Sequence, residues 1–253
     1  MSIIEAIIMG TVQGLTEFLP ISSSGHLVLL QRLFGMTGEN ISFDIAMHLG
    51  SLIAVIIIFR KTILSLIKHP FSPLAIKLYL ATIPTVIIVL LFKTFIESTF
   101  SGNFFLIGFV LTAIILAISE YIAKKYKNDA PISNTNAIVL GIAQGLATLP
   151  GVSRSGTTIA TGLIMGSKKD EVAEFSFLMS IPIIIASAVY ELFFQFDSTT
   201  FNLLPTLVGM LFAFIFGFIA IKWMLRLIRK ANLIYFSIYL ILLVAVILIL
   251  GLV

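Results

Sequence analysis

A polar loop broken by glycine interrupts the apolar run of this chain twice, and the two interruptions are copies of one another. Residues 13–26 read Gln-Gly-Leu-Thr-Glu-Phe-Leu-Pro-Ile-Ser-Ser-Ser-Gly-His, and residues 144–157 read Gln-Gly-Leu-Ala-Thr-Leu-Pro-Gly-Val-Ser-Arg-Ser-Gly-Thr. At a constant offset of 131 residues, Gly10, Gln13, Gly14, Leu15, Ser22, Ser24 and Gly25 all meet identical partners. The surroundings are those of a membrane protein, because 59% of the 253 residues are hydrophobic and only 11% are charged. Soluble domains carry about 25% charged residues, so this chain lacks the material for a solvated surface. A polar loop in such a setting cannot face lipid, where nothing would satisfy its backbone or side chains. Two of them predict one shared polar site, buried in the membrane and built at an internal repeat.

Six segments are apolar and long enough to cross a hydrocarbon core of about 30 Å: residues 43–59, 74–92, 104–122, 174–196, 203–223 and 233–253. The motif-bearing segments, 3–34 and 136–165, are different. As one straight helix the first would measure roughly 48 Å, too long for a single crossing. Pro20 and the Ser22–Gly25 run break it near its centre. Each such segment is therefore expected to be a re-entrant hairpin, two half-helices that enter and leave on the same face; a single kinked helix is the alternative.

Lysine and arginine positions choose between the two. With both segments re-entrant, the loops at 60–77, 123–135, 166–171 and 222–232 share one side and hold thirteen basic residues, against two (Arg32 and Lys93) on the other. With both segments crossing, the count becomes seven against eight. Only the first arrangement obeys the positive-inside rule, and it puts both termini outside. It also accounts for the net charge of +4 without a nucleic-acid partner. Each half then has one hairpin and three crossings, an odd number, so the second half is inverted relative to the first. The expected fold is an all-α polytopic membrane protein of six transmembrane helices plus two re-entrant helix-loop-helix hairpins in an inverted-topology repeat. Residues 1–253 form a single membrane domain, with repeat one at about 1–130 and repeat two at about 131–253. Inverted repeats whose broken helices meet near the midplane build binding sites in lipid. Half-helices starting after Ser24-Gly25 and after Ser155-Gly156 would aim two N-termini, both suited to anions, at one place. The Met-Ser-Ile-Ile-Glu start has neither basic region nor cleavage site, so no removable signal peptide is expected. Zero cysteines exclude disulfides and thiolate chemistry.

The two loops carry different side chains. Loop one offers Gln13, Glu17, Ser22, Ser23, Ser24 and His26; loop two offers Ser153, Arg154, Ser155, Thr157 and Thr158. Gln13 and Glu17 lie four apart, on one face of the incoming half-helix. Arg154 supplies a planar fork of donors matched to phosphate. Together an Arg, a hydroxyl cluster, a His and a carboxylate fit phosphoryl transfer. Each also has a plain structural use: Glu17 as partner of Arg154, His26 on a carbonyl, the serines as helix caps. Asp44 and His48 share a face of the 43–59 segment near its outer end and are expected at the interface. Glu174 is expected as an interfacial cap, and Glu120 and Glu191 as partly exposed helix-end residues.

These motifs resemble those of the bacterial undecaprenyl-diphosphate phosphatases of the bacitracin-resistance type. That family's signatures are a Glu/Gln-x-x-x-Glu motif leading into a Ser-rich loop and His, here Gln13 to Glu17 and Ser22 to His26, and P-G-x-S-R-S-G, here Pro150 to Gly156. The likeness covers the whole chain in length, hydropathy and motif spacing. It implies removal of the terminal phosphate of undecaprenyl diphosphate, which recycles the lipid carrier of cell-wall synthesis and confers bacitracin resistance. It further implies Mg²⁺ or Ca²⁺ held at Glu17 and Gln13, and a plasma-membrane site open to the outer face. Glu17, Ser23, His26 and Arg154 take catalytic roles in that reading, with Ser23 or His26 as nucleophile. Ser22, Ser24, Ser153, Ser155 and Thr157 take substrate-binding roles. Gln13 stands where the signature also allows Glu, which halves the carboxylate charge offered to a metal. The implied partners are the polyprenyl diphosphate lipid and the bilayer, with a homodimer open to it. The competing reading is a lipid flippase or secondary transporter, since broken helices in inverted repeats are transporter architecture; a transporter needs no nucleophile or acid–base group. The other large class of membrane lipid phosphatases requires a His at the position of Ala160 and is set aside.

Overall fold

The computed structural model describes every residue except 37–40, 101, 127–128, 195–201, 231 and 253. Among the described residues there are twelve α-helices and no strand. They are α1 (Ile3–Phe18), α2 (Ser23–Leu33), α3 (Ile41–Ile58), α4 (Arg60–Lys68), α5 (Pro73–Leu91) and α6 (Lys93–Phe100), then α7 (Phe104–Lys125), α8 (Asn134–Leu146), α9 (Arg154–Ile164), α10 (Lys169–Phe194), α11 (Leu203–Lys230) and α12 (Ile234–Ile249). Local chemistry sets several of the starts. Ser2 and Glu5 form a capping box on α1, and Ser72 caps α5 ahead of Pro73 in its first turn. Pro84 and Pro182 lie inside α5 and α10, which neighbouring helices tolerate in membrane proteins.

The six apolar segments read from the sequence all appear as helices. By length and composition, α5, α7, α10 and α11 can each cross a membrane. A fifth span results if α3 and α4, bent by 79° across Phe59, are counted together. With 16 residues, α12 measures only about 24 Å. Residues 60–68, expected as loop, form a helix because Arg60, Lys61 and Lys68 can point to water while its Leu and Ile residues face the apolar side. Leu64 and Ile67 are exposed, as suits a helix lying at an interface. Large apolar side chains also cover the outside of α5, among them Ile83, Ile87 and Leu90, a surface that belongs in lipid.

Each motif segment is two helices. The chain breaks after Phe18 and after Leu146 and restarts at Ser23 and at Arg154. Both restarts fall three residues earlier than expected, since Ser22 and Ser153 are themselves the N-caps and accept from Gly25 N–H and Gly156 N–H. Long-range packing follows a pattern of exchange. α1 lies on α11 while α8 lies on α5; α7 lies on α12, and α3 on α10. Glycine permits the first two contacts: a Cβ on Gly10 would sit 2.2 Å from the Gly209 carbonyl oxygen, and one on Gly141 would sit 2.1 Å from that of Ala81. Phenylalanines fill the centre, with Phe18 edge-on to Phe177 at 5.5 Å.

Three expectations about outlying carboxylates need revision or fall outside view. Glu120 is 4% exposed, not a wet helix end; its Oε2 accepts the Leu233 N–H at 3.0 Å at the start of α12. Glu174 lies in the second turn of α10 and caps nothing, whereas Glu171 accepts the Ile132 N–H at 3.0 Å. Lys127 and the side chains of Glu191 and Lys230 lie outside the described residues.

Candidate active site

The two interrupted segments meet through their loops. Ser155 Oγ donates to the Leu19 carbonyl at 3.0 Å, and Ser24 Oγ accepts the Gly151 N–H at 3.3 Å. Ser24 and Ser155, equivalent at the offset of 131, thus each hold the backbone of the other loop. Gly151 has φ of 81°, and a Cβ there would lie 2.0 Å from the Phe105 carbonyl oxygen, so only glycine fits this turn. Thr112 of α7 anchors the same loop, accepting from Ser153 N–H at 2.9 Å and donating to the Gly151 carbonyl at 3.3 Å.

At the junction sits one carboxylate with a full set of donors. Arg154 Nη2 approaches Glu17 Oε1 at 2.5 Å. Ser23 Oγ donates to Glu17 Oε2 at 2.6 Å, and Gln13 Nε2 donates to the same oxygen at 3.2 Å. Glu17 is 8% exposed and Arg154 16%, so the pair is buried but reachable from one direction. Such an ion pair is tolerated in a low dielectric because both carboxylate oxygens accept hydrogen bonds. The second guanidinium nitrogen rests on the Ser176 carbonyl at 3.3 Å, which fixes the plane of the fork. The N-termini of α2 and α9, each capped by its own serine, begin beside this pair, adding free N–H groups and positive dipole ends.

The remaining residues singled out in the sequence divide by role. Ser22 and Ser153 are caps, and each lies near the serine two residues on, at 3.2 Å (Ser22–Ser24) and 3.4 Å (Ser153–Ser155). Thr158 Oγ1 meets Ser176 Oγ at 2.6 Å and bonds its own helix. Thr157 Oγ1 is buried without a partner, a hydroxyl available to a ligand. His26 has both ring nitrogens occupied, Nδ1 at 2.7 Å from the Ser22 carbonyl and Nε2 at 2.8 Å from the Tyr239 hydroxyl. The carbonyl can only accept, so Nδ1 carries the proton, while Nε2 meets a hydroxyl that can either donate or accept. This is not the posture of a free acid–base group.

Two neighbours of the site escaped the sequence reading. His48, expected at the interface, has Nδ1 at 2.8 Å from Gln13 Nε2 and 3.7 Å from Glu17 Oε2. Tyr239 of α12 reaches His26 across 213 residues of chain. An ionisable residue within an apolar helix was the available signal for His48; nothing in the pattern of α12 marked Tyr239.

Among the described residues no three His, Cys, Asp or Glu side chains cluster as a metal site. The donors at Glu17 nevertheless fit a hard divalent cation bound together with phosphate oxygens. Gln13 Oε1 is a buried oxygen without a partner, beside a carboxylate, and Mg²⁺ usually takes one or two protein oxygens plus substrate phosphates.

Fold and site together define a polytopic helical membrane protein whose polar centre is an arginine–carboxylate pair ringed by hydroxyls between two helix N-termini. The family described as bacitracin resistance protein BacA matches residues 6–246, and this chain belongs to it. A protein of Carboxydothermus hydrogenoformans named undecaprenyl-diphosphatase is 45% identical over 244 residues, covering 94% of each chain. Proteins of the same name from Methanobrevibacter smithii and Christiangramia forsetii are 41% and 37% identical, again over 94% of each chain.

Proposed function

We propose that this chain hydrolyses undecaprenyl diphosphate to undecaprenyl phosphate and inorganic phosphate, an integral membrane phosphatase that returns the lipid carrier to cell-wall synthesis and confers bacitracin resistance. One observation carries the reading: a single buried carboxylate, Glu17, bonds the Ser23 hydroxyl through one oxygen and Arg154 through the other. That is a nucleophile on its base, beside a phosphate clamp. The names of the relatives agree with it.

In this mechanism the terminal phosphate displaces Glu17 from the Arg154 fork and takes two of its donors, with the α2 and α9 N-termini and Thr157 supplying the rest. Glu17, released from its ion pair, accepts the Ser23 proton as Ser23 Oγ attacks the terminal phosphorus. The bond from phosphorus to the bridging oxygen breaks, and undecaprenyl phosphate leaves with the electron pair. Glu17 returns its proton to the leaving phosphate and then takes one from a water molecule that attacks the phosphoserine; the Ser23 oxygen leaves, recovers that proton from Glu17, and inorganic phosphate is released. Glu17 and Gln13 would hold Mg²⁺ or Ca²⁺ with the diphosphate, where the cation offsets charge on the leaving oxygen. Ser22, Ser24, Ser153 and Ser155 shape the cradle through the caps and cross-loop bonds, and His26 supports the turn before Ser23.

The arrangement we favour is six crossings and two hairpins in an inverted repeat, with repeats at about 1–130 and 131–253 and the site open to the outer face. The second hairpin has support at its ends: Ala130 N–H donates to the Gly166 carbonyl at 3.2 Å, and Lys168 N–H donates to the Ala130 carbonyl at 3.0 Å. A segment whose entry and exit are bonded to each other leaves by the face it entered. The exchange packing of α1 on α11 and α8 on α5 is what two inverted copies require. At an offset of 131, Gly10 and Gly141 make equivalent contacts in it.

Phosphate release by purified protein in detergent tests the proposal. With a long-chain polyprenyl diphosphate and Mg²⁺ or Ca²⁺, the wild type should release phosphate, and Arg154→Ala, Glu17→Ala and Ser23→Ala should each lose about a hundredfold or more in kcat. Wild-type rates in all three would overturn the assigned site, and a folded but inactive wild type would overturn the activity.

A further inference from the structure

Ser22 is the one non-glycine residue with positive φ among the described residues, at φ 67° and ψ 102°. Its left-handed conformation turns the chain from the break into α2 and puts Ser23 in the first turn, with its hydroxyl on Glu17. An L-residue holds such a conformation only where its surroundings fix it. Two bonds to the Ser22 carbonyl do so here, both from His26: Nδ1–H at 2.7 Å and the backbone N–H at 3.4 Å. The shorter one depends on the proton being at Nδ1. The Ser22 carbonyl can only accept and so selects that form, while the occupant of the opposite nitrogen holds the other end of the ring.

That occupant is Tyr239. Its hydroxyl lies 2.8 Å from His26 Nε2, and the two rings are parallel within 3° with centroids 5.9 Å apart. The edge of Phe109 closes another side at 5.2 Å. A tyrosine hydroxyl can donate to or accept from Nε2, so this bond and the parallel rings fix the orientation of the imidazole whichever partner holds the proton. Resting on the phosphatase reading above, we infer that Tyr239 is a positioning residue for catalysis: it holds the His26 ring in the orientation that bonds the Ser22 carbonyl and so aims Ser23 at Glu17. His26 then acts through the backbone and not by proton transfer to substrate. The residue that sets the geometry of the first loop thus comes from the last helix of the chain.

The test needs variants that separate a held turn from a missing acid. Tyr239→Phe keeps the ring and removes the donor; it should lower kcat about tenfold, the worth of one buried hydrogen bond, and leave KM within about twofold. His26→Asn keeps a side-chain donor near the Nδ1 position, so it should retain at least about tenfold more activity than His26→Ala. Adding Tyr239→Phe to His26→Asn should then cost nothing further. In ¹⁵N-histidine NMR spectra of the substrate-free protein, the His26 Nδ1–H should be protected from exchange with water in the wild type and should exchange at least about tenfold faster in Tyr239→Phe. Wild-type kcat together with unchanged Nδ1–H exchange in Tyr239→Phe would overturn the inference. So would His26→Asn as inactive as His26→Ala, because that marks His26 as the acid–base group. The NMR readout needs no turnover, so it stands apart from a failure of the phosphatase reading itself.

Discussion

At the scale of single residues, strain and pairing sit where the chemistry is proposed. Holding Ser22 at positive φ costs on the order of 1–3 kcal/mol, a cost a neutral linker would have shed by becoming glycine. Ser22→Gly is therefore expected to melt within about 1 kcal/mol of wild type, since relief of strain offsets the lost cap and the greater freedom of the unfolded chain. Phosphate release should still fall about tenfold, because the hydroxyl that reaches Ser24 and Gly25 is gone and the turn is looser. A melting point far below wild type would show that the turn is not strained in the way described. Much of the site was legible at this scale, because Glu17, Ser23 and Arg154 each sit in a motif that has no business in lipid. His48 and Tyr239 were not, since their relation to the site is purely tertiary. Helix periodicity reports which face is apolar, not which distant loop that face will touch. His26 shows the same limit, as its residue type fits catalysis while its partner Tyr239, from the last helix, is nowhere signalled in the motif.

At the scale of helices, backbone contacts carry the packing. Without a hydrophobic drive between helices in lipid, association depends on close approach and interhelical bonds. The α5–α8 pair shows both. Gly141 lies against the Ala81 backbone, and Thr85 Oγ1 donates to the Gly141 carbonyl at 2.8 Å while accepting from Gln144 Nε2 at 3.3 Å. Gly141→Ala places a methyl where a carbonyl oxygen already is. It should separate the helices at a cost of about 1–3 kcal/mol, read as a lower apparent melting temperature in detergent. Gly102→Ala, where a Cβ meets nothing within 4 Å, should change stability by no more than about 0.5 kcal/mol. Equal effects at the two sites would remove close packing as the reason for Gly141. Hydropathy located all six apolar helices, yet it missed α4 and α6, which are short and mixed in character. It also placed the half-helix starts after the glycines, where the serine caps put them earlier.

For the whole molecule, the asymmetry of charge and the symmetry of packing lead to the same topology. In the arrangement we propose, the exchange of α1 and α8 between the halves brings two loops of opposite entry to one point, so that one copy can contribute Glu17 and the other Arg154. A pair of parallel copies would put both loops at the same depth on the same face, with no reason for Ser24 and Ser155 to hold each other's backbones. Because the chain has no cysteine, single cysteines can report sidedness without background. Cysteines at Lys61, Lys168 and Arg229 should all react from the cytoplasmic side, and one at Glu97 should react from outside. Lys168 and Arg229 decide the matter, because they change sides if residues 136–165 cross the membrane. The bonded ends at Ala130 and Lys168 keep position 168 beside position 130, which in the arrangement we propose lies on the side of Lys61. Labelling of Lys168→Cys and Arg229→Cys from outside would break the inverted repeat, and with it the explanation of how Arg154 comes to face Glu17.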